Sequence, residues 1–272
     1  MTKASLQALK ADEWRVPDDA RRQGLALDLL DCLGAPDPEL RDDLAFEALS
    51  HWIRGKQITA ATLQSMRAVL LPCLKAAAAD GDAAGFRQPF AALTLAEVAR
   101  ADRVQPFLSA PQRAELVTAA TTYLTGVRDY RGFDAKDGWR HGVAHGADLL
   151  LQLSVNPALD RDQLVAILAA VASQVMPPGG HFYVYGEGDR LMTPVFYIGS
   201  RDAFTADEWS AWFASLAARR VPPNWNYAST PLQFGGHTMS RTVAWPGQSR
   251  CRRSRCARST RRLALNRCIG VC

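Results

Sequence analysis

The stretch Tyr130–Leu153, YRGFDAKDGWRHGVAHGADLLLQL, decides the reading of this chain, because a turn-rich half runs directly into a helical half. Arg131, Gly132, Asp134, Asp137 and Gly138 are turn and cap residues, and Asp137 is placed to N-cap a helix that starts near Gly138. From Trp139 onward the residues repeat at helical spacing. His141, His145 and Asp148 stand at i, i+4 and i+7 and share one face. Histidines with a carboxylate at such spacing can bind a divalent metal. Seven residues at about 1.5 Å each put His141 and Asp148 roughly 10 Å apart along the axis, so one ion does not take all three. A metal site here needs His145 with one neighbour and ligands from other helices. The competing reading makes both histidines hydrogen-bonded residues of a helical core.

Working outward, apolar residues recur at helical period on both sides. Residues 1–19 read as a polar lead-in. Helices are expected over Arg21–Leu33, Leu40–Arg54, Thr59–Ala79, Phe86–Ala101 and Pro111–Val127 before the central stretch. Asp160–Val175, Asp189–Ser200 and Thr205–Arg219 follow it, the last with Thr205 and Glu208 as a capping box. Strand-type alternation is never sustained. The expected class is all-α, with roughly nine to ten helices and few or no strands.

Laid over one another, four helix starts align on an arginine: Arg41, Arg87, Arg140 and Arg190, spaced by 46, 53 and 50 residues. A helical period near 50, with another helix between copies, predicts a HEAT-like α-solenoid array of helical pairs. Chance overlay of amphipathic helices is the alternative. In the overlay His145 matches Phe46, Ala92 and Val195, and Asp148 matches Leu49, Leu95 and Ile198. Two core-like positions are polar in one copy only, and buried polar groups need a partner. The arginine row marks a candidate binding edge for an anionic ligand, or a ladder of salt bridges between repeats.

The 272 residues suffice for one large domain or two small ones. The expected layout is a lead-in over 1–19, one helical domain over 20–233 and an Arg- and Cys-rich tail over 234–272. Eight arginines and no Asp, Glu or Lys fall between Gly247 and Cys272; without them the formal net charge drops from +5 to −3. The body is therefore mildly acidic, which argues against a nucleic-acid-binding body. The tail reads as an unstructured, out-of-frame segment or as a genuine basic arm. Charged residues near the N-terminus leave no signal peptide, and the longest apolar run, Leu164–Ala172, is too short to span a bilayer. A cytoplasmic protein without membrane contact is expected. Cys32 and Cys73 read as buried free thiols, and the four tail cysteines show no zinc-pair spacing.

Several blocks carry a family resemblance: Arg41-Asp-Asp-Leu-Ala-Phe46, Phe86–Leu93, Arg131-Gly132, Gly138-Trp139, His141, Ala144-His145, Ala147-Asp148 and Gly188–Leu191. Over roughly Ala20–Ala218 the chain resembles an uncharacterised bacterial family of helical proteins, domain of unknown function 2785. The resemblance implies an all-α fold and a bacterial, cytoplasmic setting; it implies no activity.

No P-loop, GxGxxG or GxSxG pattern is present. The leading expectation is a binding or scaffold protein without cofactor. Its candidate binding residues are Arg41, Arg87, Arg131, Trp139, Arg140, His141, His145, Asp148, Asp189 and Arg190, and its partner a protein, peptide or anionic small molecule. The first alternative is a metal-dependent hydrolase with His141, His145 and Asp148 as part of the site, Glu187 or Asp189 completing it and Trp139 walling it. The second is a HEAT-like nucleic-acid binder.

Overall fold

The computed structural model describes residues 2–75, 85–177 and 181–218, together with the backbone of two short strands beyond them. The chain divides into two compact units, Met1–Pro222 and Pro223–Cys272. In the second unit the described residues are the antiparallel pair β3 (Gln233–Phe234) and β4 (His237–Thr238). The two readings of the basic tail fall outside the described residues.

The first unit is helical. Residues 3–11, expected only to lead in, form α1 (Lys3–Ala11), where Thr2 and Ser5 cap each other's backbone N–H groups. Next come α2 (Asp19–Asp28) and a tight 3-10 turn (Leu29–Gly34). Glu39–Phe46 winds as wide π-helical turns and continues without a break into α3 (Glu47–Arg54). The chain then runs through α4 (Ala60–Lys75), α5 (Arg87–Val104) and α6 (Ala110–Gly126). After a hairpin come α7 (Gly142–Ser154), α8 (Arg161–Val175), α9 (Glu187–Gly199) and α10 (Ala206–Ala218). Thr205 and Glu208 cap α10 reciprocally as expected: the Thr205 N–H reaches Glu208 Oε2 at 2.8 Å and the Glu208 N–H reaches Thr205 Oγ1 at 3.3 Å.

Helices α3, α5, α7 and α9 lie side by side in chain order, as do α2, α4, α6 and α8, and the two rows pack against each other. Polar ties recur between row neighbours, and between α8 and α10, at similar sequence separations. Arg54 grips Glu97 across 43 residues, Arg67 meets Glu115 across 48, Arg190 meets Asp148 across 42, and Arg161 meets Glu208 across 47. Leu44, Leu49, Trp52, Met66, Leu70, Phe90, Leu95, Leu149 and Ile167 belong to one continuous buried core. Full burial of each such side chain is worth about 1.5–3 kcal/mol. Cys32 and Cys73, expected to be buried, are half-buried free thiols.

The central stretch departs from its expected form. The helix expected near Gly138 begins at Gly142; before it, β1 (Phe133–Asp134) pairs antiparallel with β2 (Gly138–Trp139). The Asp134 carboxylate closes the turn by accepting the N–H groups of Lys136 and Asp137 at 2.8 and 3.0 Å. Asp137 therefore caps no helix. Gly138 takes φ +75°, and a Cβ there would sit 2.8 Å from Pro38 and 3.0 Å from the Arg41 guanidinium.

Arg41 explains the delay. It is fully buried, and its guanidinium donates to the Asp137 carbonyl at 2.8 Å and the Ala35 carbonyl at 2.8 Å, and to Asp42 Oδ1 at 2.7 Å. The same group stacks 3.8 Å over the Phe86 ring. A carbonyl answered from another part of the chain gives its loop no reason to coil into helix.

Replacing Arg41 with Ala leaves a half-buried carboxylate and two half-buried loop carbonyls without their donor. Urea denaturation is expected to show a loss of about 3–5 kcal/mol. Arg41→Lys should recover only part of it, because an ammonium cannot span these acceptors while stacking on Phe86. A loss below about 1 kcal/mol for Arg41→Ala would remove Arg41 from this role.

Candidate functional site

Three segments meet at the N-terminal end of α7: the hairpin, the first turn of α7 and residues 181–187 before α9. His141 carries the helix start in a left-handed conformation, φ 53°. One turn later the His145 N–H bonds the His141 carbonyl at 2.9 Å, so the expected i, i+4 relation survives although the helix starts late. Their rings meet edge to face with centroids 5.8 Å apart.

The aromatics close around this pair. Trp139 lies 4.1 Å from the His141 ring, Tyr185 meets Trp139 edge-on at 5.5 Å, and Phe133 lies 5.0 Å from Trp139. Phe90 of α5 meets His145 edge-on at 5.1 Å from beneath. Phe133, Trp139 and Tyr185 face solvent, whereas His145 is 7% exposed. Gly132 permits the close approach: a Cβ there would fall 2.0 Å from the Tyr185 ring. Beside this group Tyr130 stacks on His181 at 4.9 Å.

Both imidazoles titrate below the ordinary value of 6.5, which favours their neutral forms. Burial pushes His145 down to about 3, helped by its neighbours His141, Arg190 and Arg41; a hydrogen bond with the Pro89 backbone opposes the shift. Proline has no N–H, so the Pro89 carbonyl accepts from the His145 ring. Burial also lowers His141, against the pull of the Glu187 carboxylate and a hydrogen bond to the Tyr185 backbone. Each imidazole thus gives its N–H to a carbonyl and keeps a lone pair. Those remaining nitrogens, His141 Nε2 and His145 Nδ1, are buried without a partner, as is the Tyr130 hydroxyl. Glu187, buried at the start of α9, accepts the Tyr185 N–H at 2.9 Å.

The other expected site residues divide. Trp139 joins the histidines. Asp148 points to Arg190, with which it forms an ion pair, while its burial raises its carboxyl above the usual range. Arg140 pairs with Asp137 at 3.0 Å and lies 4.5 Å over the Phe86 ring, the ring that also carries Arg41. Arg87 donates to the carbonyls of Leu30 and Asp31 at 3.3 and 3.2 Å. Arg131 chelates Asp129 through two nitrogens. Asp189 is exposed in the first turn of α9, its carbonyl accepting the Thr193 hydroxyl at 2.8 Å. Every arginine of the aligned row is thus engaged with the protein itself. Among the described residues, no group of three or more His, Cys, Asp or Glu side chains is arranged to hold a metal.

Sequence reasoning missed Tyr130, Tyr185 and the Pro89 carbonyl. The aromatic alternation of His181-Phe-Tyr-Val-Tyr185 was the available signal; nothing in it names the hairpin as its destination. A cavity of about 500 Å³ lies elsewhere, at the other end of α7.

A family model described as a protein of unknown function, DUF2785, matches residues 74–232. The match takes in the hairpin and α5 through α10, and begins after Arg41. No curated protein and no solved structure matches the chain.

The buried neutral imidazole sets a pH dependence. His145 binds its proton readily only when the chain unfolds, so its contribution is complete above the ordinary value of 6.5 and is lost as pH falls from there toward about 3. The loss runs at up to about 1.4 kcal/mol per pH unit. Asp148, shifted upward, acts with the opposite sign in acid. Between about pH 7.5 and pH 5, His145→Gln is expected to lose about 2 kcal/mol less stability than the parent chain in urea titrations. Equal losses would mean that His145 is not held neutral.

Proposed function

Because the chain belongs to the DUF2785 family of proteins of unknown function, we propose a function from its geometry alone: a cytoplasmic helical-repeat binding protein whose ligand sits on the aromatic and imidazole patch at the start of α7. The observation that carries this reading is the pair of buried, unpartnered imidazole nitrogens under exposed aromatic rings. Neutral nitrogens with free lone pairs accept hydrogen bonds, so the ligand brings N–H or O–H donors. Phe133, Trp139 and Tyr185 offer it flat apolar surface, a composition common in the anchoring parts of binding sites. A peptide presenting backbone or side-chain donors fits both demands.

The α-solenoid arrangement belongs to the same proposal. Its support is the pair of helix rows and the polar ties that recur across 42 to 48 residues. In such an array the arginine row acts within the protein, joining helices to loops. The guanidiniums nearest the patch are matched by Asp42, Asp129, Asp137 and Asp148, which leaves little excess charge for a nucleic-acid backbone.

A metal-dependent hydrolase is the second reading, and one observation favours it. Metal-bound histidines commonly donate their other ring N–H to a carbonyl or carboxylate, the state of both His141 and His145. Glu187, electrostatically coupled to His141, would take the place expected of Asp148.

Peptides selected from a displayed library on the whole protein are expected to lose at least about tenfold in affinity against Trp139→Ala and against His145→Ala. Selected peptides that bind both folded variants as tightly as the parent would sink the patch as the seat. Metal content by mass spectrometry separates the second reading: one bound equivalent, absent from His145→Ala, would put the hydrolase first.

A further inference from the structure

We propose that the cavity at the far end of α7 is a separate binding site, for a small organic anion that carries a carboxylate or phosphate on a flat or apolar body. The C-terminal ends of α5, α7 and α9 meet there. The cavity, about 500 Å³, is lined by Arg103 from α5, Leu151 and Gln152 from α7, and Tyr197 and Arg201 at the end of α9, with Val155, Pro157 and Ser200 filling the wall. Two guanidiniums and no acidic side chain line it.

The two arginines are in different states. Converging helix C-termini present unpaired carbonyls and the negative ends of their dipoles, which would repel an anion. Arg201 answers them: it donates to the carbonyls of Ser154 and Asn156, each at 2.8 Å, and of Leu159 at 2.9 Å. Arg103 has no such engagement. Its Nε is buried without a hydrogen-bond partner, and its terminal nitrogen reaches Gln152 Oε1 only at 3.4 Å. Arg103 is only half-buried and lines the open cavity, and its bond to Gln152 is long, so an incoming oxyanion can take its terminal nitrogens; a guanidinium offers a carboxylate or phosphate a planar, two-point fit. Leu151, Val155, Pro157 and Tyr197 give the rest of such a ligand an apolar wall. Gln152 follows His145 by seven residues, roughly 10 Å along the helix, so this site is distinct from the aromatic patch and does not depend on its reading.

Calorimetric titration of the whole protein with benzoate and with phenyl phosphate tests the proposal, acetate and inorganic phosphate serving as head-group-only probes. One of the aromatic anions is expected to bind at least about tenfold more tightly than its head-group probe, and which one binds tells carboxylate from phosphate. Arg103→Gln is expected to weaken binding at least about tenfold, the loss of a charge-assisted contact. Gln152→Glu places a carboxylate against Arg103 from within; it should abolish binding while holding or raising the melting temperature, which keeps the test decisive if Arg103→Gln folds poorly. Trp139→Ala should leave this binding unchanged. No binding by either aromatic anion, equal binding of the head-group probes, or undiminished binding by folded Gln152→Glu would each overturn the proposal.

Discussion

The guanidinium of Arg41 is the constraint on which the site depends. It lies fully buried between the Phe86 ring and the loop carbonyls of Ala35 and Asp137, with Asp42 as counter-ion. Burying a cation is costly unless its donors are met, and here they are met by groups 96 residues apart in sequence, Arg41 and Asp137. One side chain thereby joins the π-helical turns, the start of α5 and the hairpin. Arg140 shares the same ring from the hairpin's end. The position of His141 follows, since the hairpin delivers the chain to the first turn of α7.

Polar groups in this protein fall into two kinds. Most buried ones are satisfied from inside: Asp102 accepts the N–H groups of Phe107 and Leu108 and pairs with Arg113, and Gln174 donates to the Leu124 carbonyl while accepting the Tyr183 hydroxyl. These bonds pin interhelical loops. A few are not satisfied, among them His141 Nε2, His145 Nδ1, Tyr130 Oη and Arg103 Nε. These four lie at the two ends of α7, the helix packed between α5 and α9; Arg67 Nε on α4 and Thr94 Oγ1 on α5 are unsatisfied elsewhere. Unmet hydrogen-bonding capacity inside a packed fold marks where a partner would be welcome. The two ends ask for different chemistry: lone pairs call for donors at one, a cationic donor calls for an oxyanion at the other.

The helices were legible because their period and caps are local properties. Thr205 with Glu208, and Asp160 before α8, announce helix starts that the backbone then uses. The aligned arginines were visible as a pattern, spaced by 46, 53 and 50 residues where the interhelical ties span 42 to 48. What they bind was not visible. An arginine at a helix start can meet solvent, a ligand or a neighbouring carbonyl with the same sequence, and only packing chooses between them. In this fold Arg41, Arg87, Arg140 and Arg190 each meet a carbonyl or carboxylate of the protein itself.

The amino-acid sequence by itself determined a helical protein, the mildly acidic balance of its body, and the histidine pair one turn apart, because periodicity, charge and i, i+4 spacing need no knowledge of distant contacts. The tertiary structure alone decided that residues 133–139 form a hairpin, that Asp148 belongs to Arg190, and that Tyr185 lies on Gly132 above the histidines. Each of those outcomes is a contest between a local preference and a partner from another part of the chain. The distant partner wins where it meets a buried hydrogen-bonding group that the local form would have left unmet.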